Sequence, residues 1–181
     1  MIEKENFHVI TGGPGAGKSS LLESLALKGY HFIPETARQI IKERIASGLS
    51  PRPDPATFAQ SIFDKDLANF ISNSDLASTI FFDRSMLDSA WQIFNADKPA
   101  YNHIENVLLQ YRYSKNVFIA PPWKEIYIND SERDHTFEES IEIYQALKEW
   151  YTQHQYEIVV LPKSTIEERV TFILKNLMHA Q

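Results

Sequence analysis

Cysteine is absent from the 181 residues, which excludes disulfides and thiolate metal centres and removes any argument for an oxidising compartment. No run of about 18 consecutive apolar residues exists of the kind a membrane span needs. The opening "MIEKENFHVI" has neither the basic end nor the apolar run of a secretory leader. Basic residues are in deficit too: 18 Lys and Arg face 24 Asp and Glu, a formal charge of −6. That balance argues against broad electrostatic binding to nucleic acid. The expectation is a cytoplasmic protein that works on small molecules, away from membranes. Its length suits one domain over 1–181 with a sizeable core, and there is no internal repeat.

What is present is an alternation. Short apolar runs at Phe7–Thr11, His31–Pro34, Thr79–Asp83, Asn116–Ala120 and Tyr156–Leu161 are separated by helically periodic stretches. This is the pattern of βαβ units around a parallel sheet of five strands. Ala37, Ile40, Ile41 and Ile45 share one helical face, as do Phe58, Ile62, Phe63, Leu67, Phe70 and Ile71. Asp54 and Pro55 suit an N-cap and the first helical position. "TFEE" (Thr136 to Glu139) and "STIE" (Ser164 to Glu167) read as capping boxes. The first leads into Ile141, Tyr144, Leu147 and Tyr151, the second into Ile166, Val170, Ile173, Leu174 and Leu177. Trp91, Tyr101, Tyr111 and Tyr113 read as core rather than as a ligand pocket. Arg112 is open between a phosphate ligand and a surface cation.

Glycine is scarce, six in all, yet four stand between Gly12 and Gly17. They follow a strand and open a helix, and Gly12 to Ser19 matches GxxxxGKS. In such a loop the glycines allow successive backbone N–H groups to face an anion, and the next helix adds its positive end. Gly12, Gly13, Pro14, Gly15, Ala16, Gly17, Lys18, Ser19 and Ser20 are therefore read as a loop that holds a nucleoside triphosphate. Lys18 would reach the β- and γ-phosphates, and the Ser19 hydroxyl would ligate Mg2+.

Three further stretches bear on the γ-phosphate. "TIFFDRS" delivers Asp83 to a strand's carboxyl end, where α/β sheets place ligands, to support the metal. Arg84 follows it as a cation for phosphoryl charge, where many hydrolytic motors carry a second acid. "HFIPETAR" puts Glu35 and Arg38 three residues apart on one helical face, suited to an acceptor hydroxyl and an anionic acceptor group. Glu35 and Asp83 both stand as the possible base. The polar segment at about 121–136 carries Arg133 and reads as a lid over the phosphates.

The set GGPGAGKSS, FIPETAR, FFDRS and YINDSER resembles the P-loop family around the ribosylnicotinamide kinase part of NadR proteins, often labelled AAA-like ATPases. The resemblance spans nearly the whole chain. It implies a three-layer α/β P-loop NTPase fold with the five strands in the order 2-3-1-4-5. It also implies ATP at Gly12 to Ser20, an acceptor at Glu35 and Arg38, metal and phosphates beside Asp83 and Arg84, and Arg133 in the lid. Two functions follow: a kinase acting on a small-molecule acceptor, or an ATPase or nucleotide-dependent switch acting on a protein partner.

Overall fold

The computed structural model describes residues 1–127 and 136–179. Among them the elements run β1 (Ile2–Lys4), β2 (Phe7–Gly12), α1 (Lys18–Leu27), β3 (His31–Ile33), α2 (Thr36–Ala46), α3 (Pro55–Ser72), β4 (Ile80–Asp83), α4 (Met86–Ala96) and α5 (Lys98–Gln110). Then come β5 (Tyr111–Tyr113), β6 (Asn116–Ala120), α6 (Phe137–Gln153), β7 (Glu157–Val160) and α7 (Ile166–His179). The main sheet is parallel with the order β3-β4-β2-β6-β7. Its strands are the five that the apolar runs predict, in the order 2-3-1-4-5. A second parallel pair, β1 with β5, has no counterpart in the sequence reading, because three-residue strands are too short to show a period.

Strand alternation splits the core in two. Phe7, Val9, Ile80, Phe82 and Val117 face the layer holding α3, α4 and α5, with Trp150 and Tyr151 of α6. Ile10, Phe81, Phe118 and Ala120 face α1 and α7. A strand buried on both faces reads as a continuous apolar run, which explains why β2 and β4 are so legible.

Caps set the helix starts. Asp54 accepts from Thr57 N–H at 3.0 Å, and Thr136 and Glu139 form the expected box. The box before α7 lies one residue later than the sequence suggests: Thr165 and Glu168 exchange backbone bonds of 3.2 and 3.3 Å. Thr165 serves as the cap because the chain turns helical at Ile166, which is left 38% exposed. Tyr101 and Tyr113 are core, as expected. Arg112 is structural: it donates to the His154 carbonyl at 2.8 Å and lies over the Tyr156 ring.

The stripes on α2 and α3 are only partly core. Ile45 and Ile71 are 57% and 50% exposed, and Ile41, Ile45, Phe58 and Ile62 line a cavity. Periodicity shows which face is apolar; it does not show whether that face meets protein or a ligand. Trp91 shares this outcome, packing on the core while lining the same cavity.

Candidate active site

The loop after β2 is built by backbone demands. Gly12 has φ 131°, and a Cβ there would sit 2.4 Å from the Ala120 carbonyl oxygen on β6; only glycine fits that approach. Gly17, at φ 75°, caps α1 in the left-handed region. Lys18 follows, 7% exposed, with Nζ donating to the carbonyls of Gly12 at 3.1 Å and Gly13 at 3.0 Å. Burial lowers its pKa to about 8, helped by Arg84 and opposed by Asp83, Glu35 and Asp88.

Asp83 ends β4 in register with Ile10 of β2. Its Oδ1 is buried and has no hydrogen-bond partner among the described residues. Burial pushes the carboxyl up to about 6 and Glu35 adds to this, while Lys18 and Arg84 pull it down. A buried carboxylate oxygen left without a partner is costly unless a ligand meets it. Ser19, exposed at the start of α1, lines the same cavity as Asp83. A hydroxyl, a carboxylate and phosphate oxygens form a hard oxygen set, so these residues fit Mg2+.

Arg84 is held at φ 71°, uncommon for a side chain of this size and a sign of a position fixed by its surroundings. Its Nε donates to Glu35 Oε1 at 2.9 Å and its Nη1 to Asp88 Oδ1 at 3.3 Å. Arg38 Nε donates to the other Glu35 oxygen at 2.9 Å. Burial alone would raise the Glu35 pKa, but Arg84, Lys18 and Arg38 together bring it down to about 2. Burial likewise disfavours the Arg84 cation, and Glu35, Asp88 and Asp83 outweigh it, holding the group above its ordinary pKa. The sequence pairs Glu35 with Arg38; the structure adds Arg84 as a second clamp on the same carboxylate.

Asp88 organises this cluster. It accepts from Thr11 Oγ1 at 2.5 Å, Tyr151 OH at 2.6 Å and Ser85 N–H at 3.0 Å. It thereby ties the strand before the phosphate loop to the Arg84 turn and to α6. Sequence reasoning missed it, although Ser85-x-x-Asp88 is a capping box and could have been recognised. Asp66 was also missed, despite sitting four residues after Ile62 and four before Phe70 on the inward face of α3.

Thr36 Oγ1 donates to Asp66 at 2.5 Å and Ser89 Oγ at 3.4 Å. Burial, reinforced by Asp88 and Glu35 and opposed by the two hydroxyls, raises Asp66 from 3.8 to about 7. Between these values the folded protein holds a proton that the unfolded chain has released, so stability falls as pH rises towards 7 and levels off above it. Asp66→Asn keeps an acceptor for Thr36 and removes the titration. Thermal melts should show a flatter pH slope and a Tm at pH 8 raised by about 3 °C.

These groups border one cavity of about 800 Å³. Pro14 to Ser20 line it together with Glu35, Arg38, Asp83 and Arg84. The rest of the lining includes Ile41, Ile45, Phe58, Ile62 and Trp91, with Lys42, Arg52, Asp66 and Gln92 among its polar residues. Gly12 and Gly13 support the loop without lining the space. Ile126 and Tyr127, from the described start of the segment that the sequence reads as a lid, lie against Gly17 and Gly15. Arg133 falls outside the described residues.

The parallel sheet, with a glycine-rich phosphate loop leaving its central strand, defines a P-loop NTPase. The chain belongs to the AAA domain family, whose model matches residues 7–169. Its fold is shared by a deoxyadenosine kinase from M. mycoides bound to the products dCMP and dCDP, at 16% identity and TM-score 0.72, covering 96% of this chain and 99% of that one. The same kinase with bound dATP matches at 18% identity and TM-score 0.59, over 94% and 98% of the two chains. A NadR protein in complex with NR matches at 18% identity and TM-score 0.63, over 96% of this chain but 50% of that one. The sequence matches no curated protein. At these identities the likeness establishes the fold, which is the one the NadR resemblance implies.

Proposed function

We propose that the protein is a phosphotransferase that moves the γ-phosphate of ATP to a hydroxyl of a small, nucleoside-like acceptor. One observation carries this reading: a carboxylate clamped by two arginines, Glu35, borders both the phosphate loop and an apolar chamber. A hydrolase needs only room for water beside the phosphate. A chamber walled by Ile41, Phe58, Ile62 and Trp91 suits the body of an organic acceptor.

The loop N–H groups and Lys18 hold the β- and γ-phosphates in line with the acceptor, since positioning and charge stabilisation supply most of phosphoryl-transfer catalysis. Bound Mg2+ would neutralise charge on the phosphate oxygens, held by Ser19 and, directly or through water, by Asp83. The acceptor oxygen bonds to the γ-phosphorus, the bond from that phosphorus to the β,γ-bridging oxygen breaks, and ADP departs. The hydroxyl proton passes to Glu35. Its low pKa makes Glu35 a weak base, yet it is ionised at every working pH, and a loose transition state needs the proton removed late. Arg84 keeps that carboxylate aimed, while Arg38 faces the acceptor.

Acceptor-stimulated ADP release across a panel of nucleosides, ribosylnicotinamide and phosphorylated metabolites tests the reading. At least one compound should be phosphorylated; steady ATP hydrolysis that no acceptor stimulates would overturn it in favour of a nucleotide switch. Asp83→Asn keeps the shape and removes the charge beside the metal. It should raise the Mg2+ concentration needed for half-maximal activity by about tenfold, the worth of one charge-assisted contact, while metal-free ADP binding stays unchanged. Equal loss of both would mark Asp83 as structural.

A further inference from the structure

Four acids among the described residues border the cavity, and three of them have a partner or a task there. Glu35 is clamped by Arg38 and Arg84, Asp88 pairs with Arg84, and Asp83 fits the metal. Asp66 pairs with no cation among the described residues. Its Oδ1 accepts from Thr36 Oγ1 at 2.5 Å. Its Oδ2 has only Ser89 Oγ nearby, at 3.4 Å. A hydroxyl has one proton to give, and Ser89 lies closer to the Met86 carbonyl, at 3.1 Å. Oδ2 is therefore a carboxyl oxygen short of a donor, on a residue that borders the cavity. Such an oxygen is costly to the fold unless a ligand supplies the bond.

The surroundings of Asp66 narrow what that ligand is. Phe58 and Ile62 precede it on α3 at intervals of four, which puts all three on one face of the helix, and all three border the cavity. An apolar stripe that ends in a carboxyl suits a ring whose edge carries a donor. The Thr36 bond places Asp66 beside the residue that follows Glu35, so one small molecule can reach both acids. We propose that Asp66 is a specificity-determining residue that accepts a hydrogen bond from an amino group on the ring of the acceptor, selecting amino-bearing nucleosides over those with a carbonyl in that place. This rests on the reading of the protein as a kinase for a nucleoside-like acceptor and names the ring chemistry that reading leaves open. Selection has an attractive and a repulsive side: an amino group meets Oδ2, whereas a carbonyl oxygen faces it with no proton between them. Asparagine would keep the Thr36 bond, so a second accepting oxygen is what the acid adds.

Steady-state transfer to two probe pairs, cytidine against uridine and adenosine against inosine, tests this on the wild type and Asp66→Asn, together with thermal melts of both proteins without ligand. The first member of each pair has an amino group where the second has a carbonyl. The assays are run at pH 8, above the value of about 7 to which burial raises this carboxyl. The wild type should favour the amino member of at least one pair by about 10- to 100-fold in kcat/KM, the worth of a hydrogen bond to a charged group. Asp66→Asn puts an N–H donor in place of Oδ2 and should bring that ratio to about one or reverse it, with no fall in apo Tm. An unchanged ratio in the variant overturns the inference, as does a wild type that favours the carbonyl members or shows no preference. An apo Tm that falls together with transfer to every probe marks Asp66 as a structural brace and overturns it too. So does an effect equal for both members of a pair that vanishes with their 2′-deoxy counterparts, since the contact is then to a sugar hydroxyl. Should all four nucleosides fail while another compound of the acceptor panel is phosphorylated, this inference alone falls. Should no compound accept phosphate, the kinase reading falls with it.

Discussion

Lys18→Ala should reduce Mg2+-dependent ATP turnover by on the order of 10³-fold, the scale seen when one preorganised charge or donor at a reacting oxyanion is removed. The folded protein should survive the change. The hydrogen bonds of Lys18 are to the loop carbonyls of Gly12 and Gly13. A water entering the space left by the side chain can donate to those carbonyls in place of the ammonium. Burial already pulls the lysine towards about 8, which shows that the apo interior disfavours its charge. Circular dichroism with a thermal melt, run beside an ATP turnover assay, checks both halves. A variant with normal melting and undiminished turnover rejects the phosphate-loop assignment.

Glu35→Gln should lower acceptor-dependent transfer by about 10²- to 10⁴-fold, the usual worth of general-base catalysis, while ADP affinity hardly changes. Glutamine keeps the shape but accepts no proton, and it cannot balance both Arg84 and Arg38. Arg84 retains Asp88 at 3.3 Å, so the turn after β4 should stay in place. Arg38→Ala should differ in kind. If this arginine holds an anionic part of the acceptor in ground and transition states alike, the acceptor KM rises and kcat is kept. Steady-state kinetics on whichever compound the panel identifies separates these outcomes. Glu35→Gln with unchanged transfer would remove Glu35 from the chemistry and leave Asp83, at about 6, as the base.

The phosphate loop and the five main strands are legible without coordinates, for one physical reason. Each is specified by short-range demands: glycines where φ is positive or a strand approaches closely, and apolar runs where a strand is buried on both faces. The caps at Asp54 and Thr136 belong to the same class, because a side chain three residues from its backbone partner needs no tertiary information. The Glu35–Arg38 pair is local too, and forms as its spacing suggests.

Long-range juxtaposition was decided only by the tertiary structure. Nothing in "FFDRS" says that Arg84 reaches 49 residues back to Glu35, or that Asp88 joins Thr11 to Tyr151 across three elements. Nor does the sequence mark Arg169 as a neighbour of Ala16, 153 residues away. The stripes on α2 and α3 make the same point from the apolar side, since Ile45 and Phe58 satisfy the helical period whether they meet a core or a cavity. Periodicity and loop chemistry act over a few residues, so the sequence alone determines the five main strands, the capped helix starts at Asp54 and Thr136, and the phosphate cradle. Which charges balance one another, and which apolar faces are left for a ligand, depends on how those elements pack, and that is settled only when the chain closes on itself.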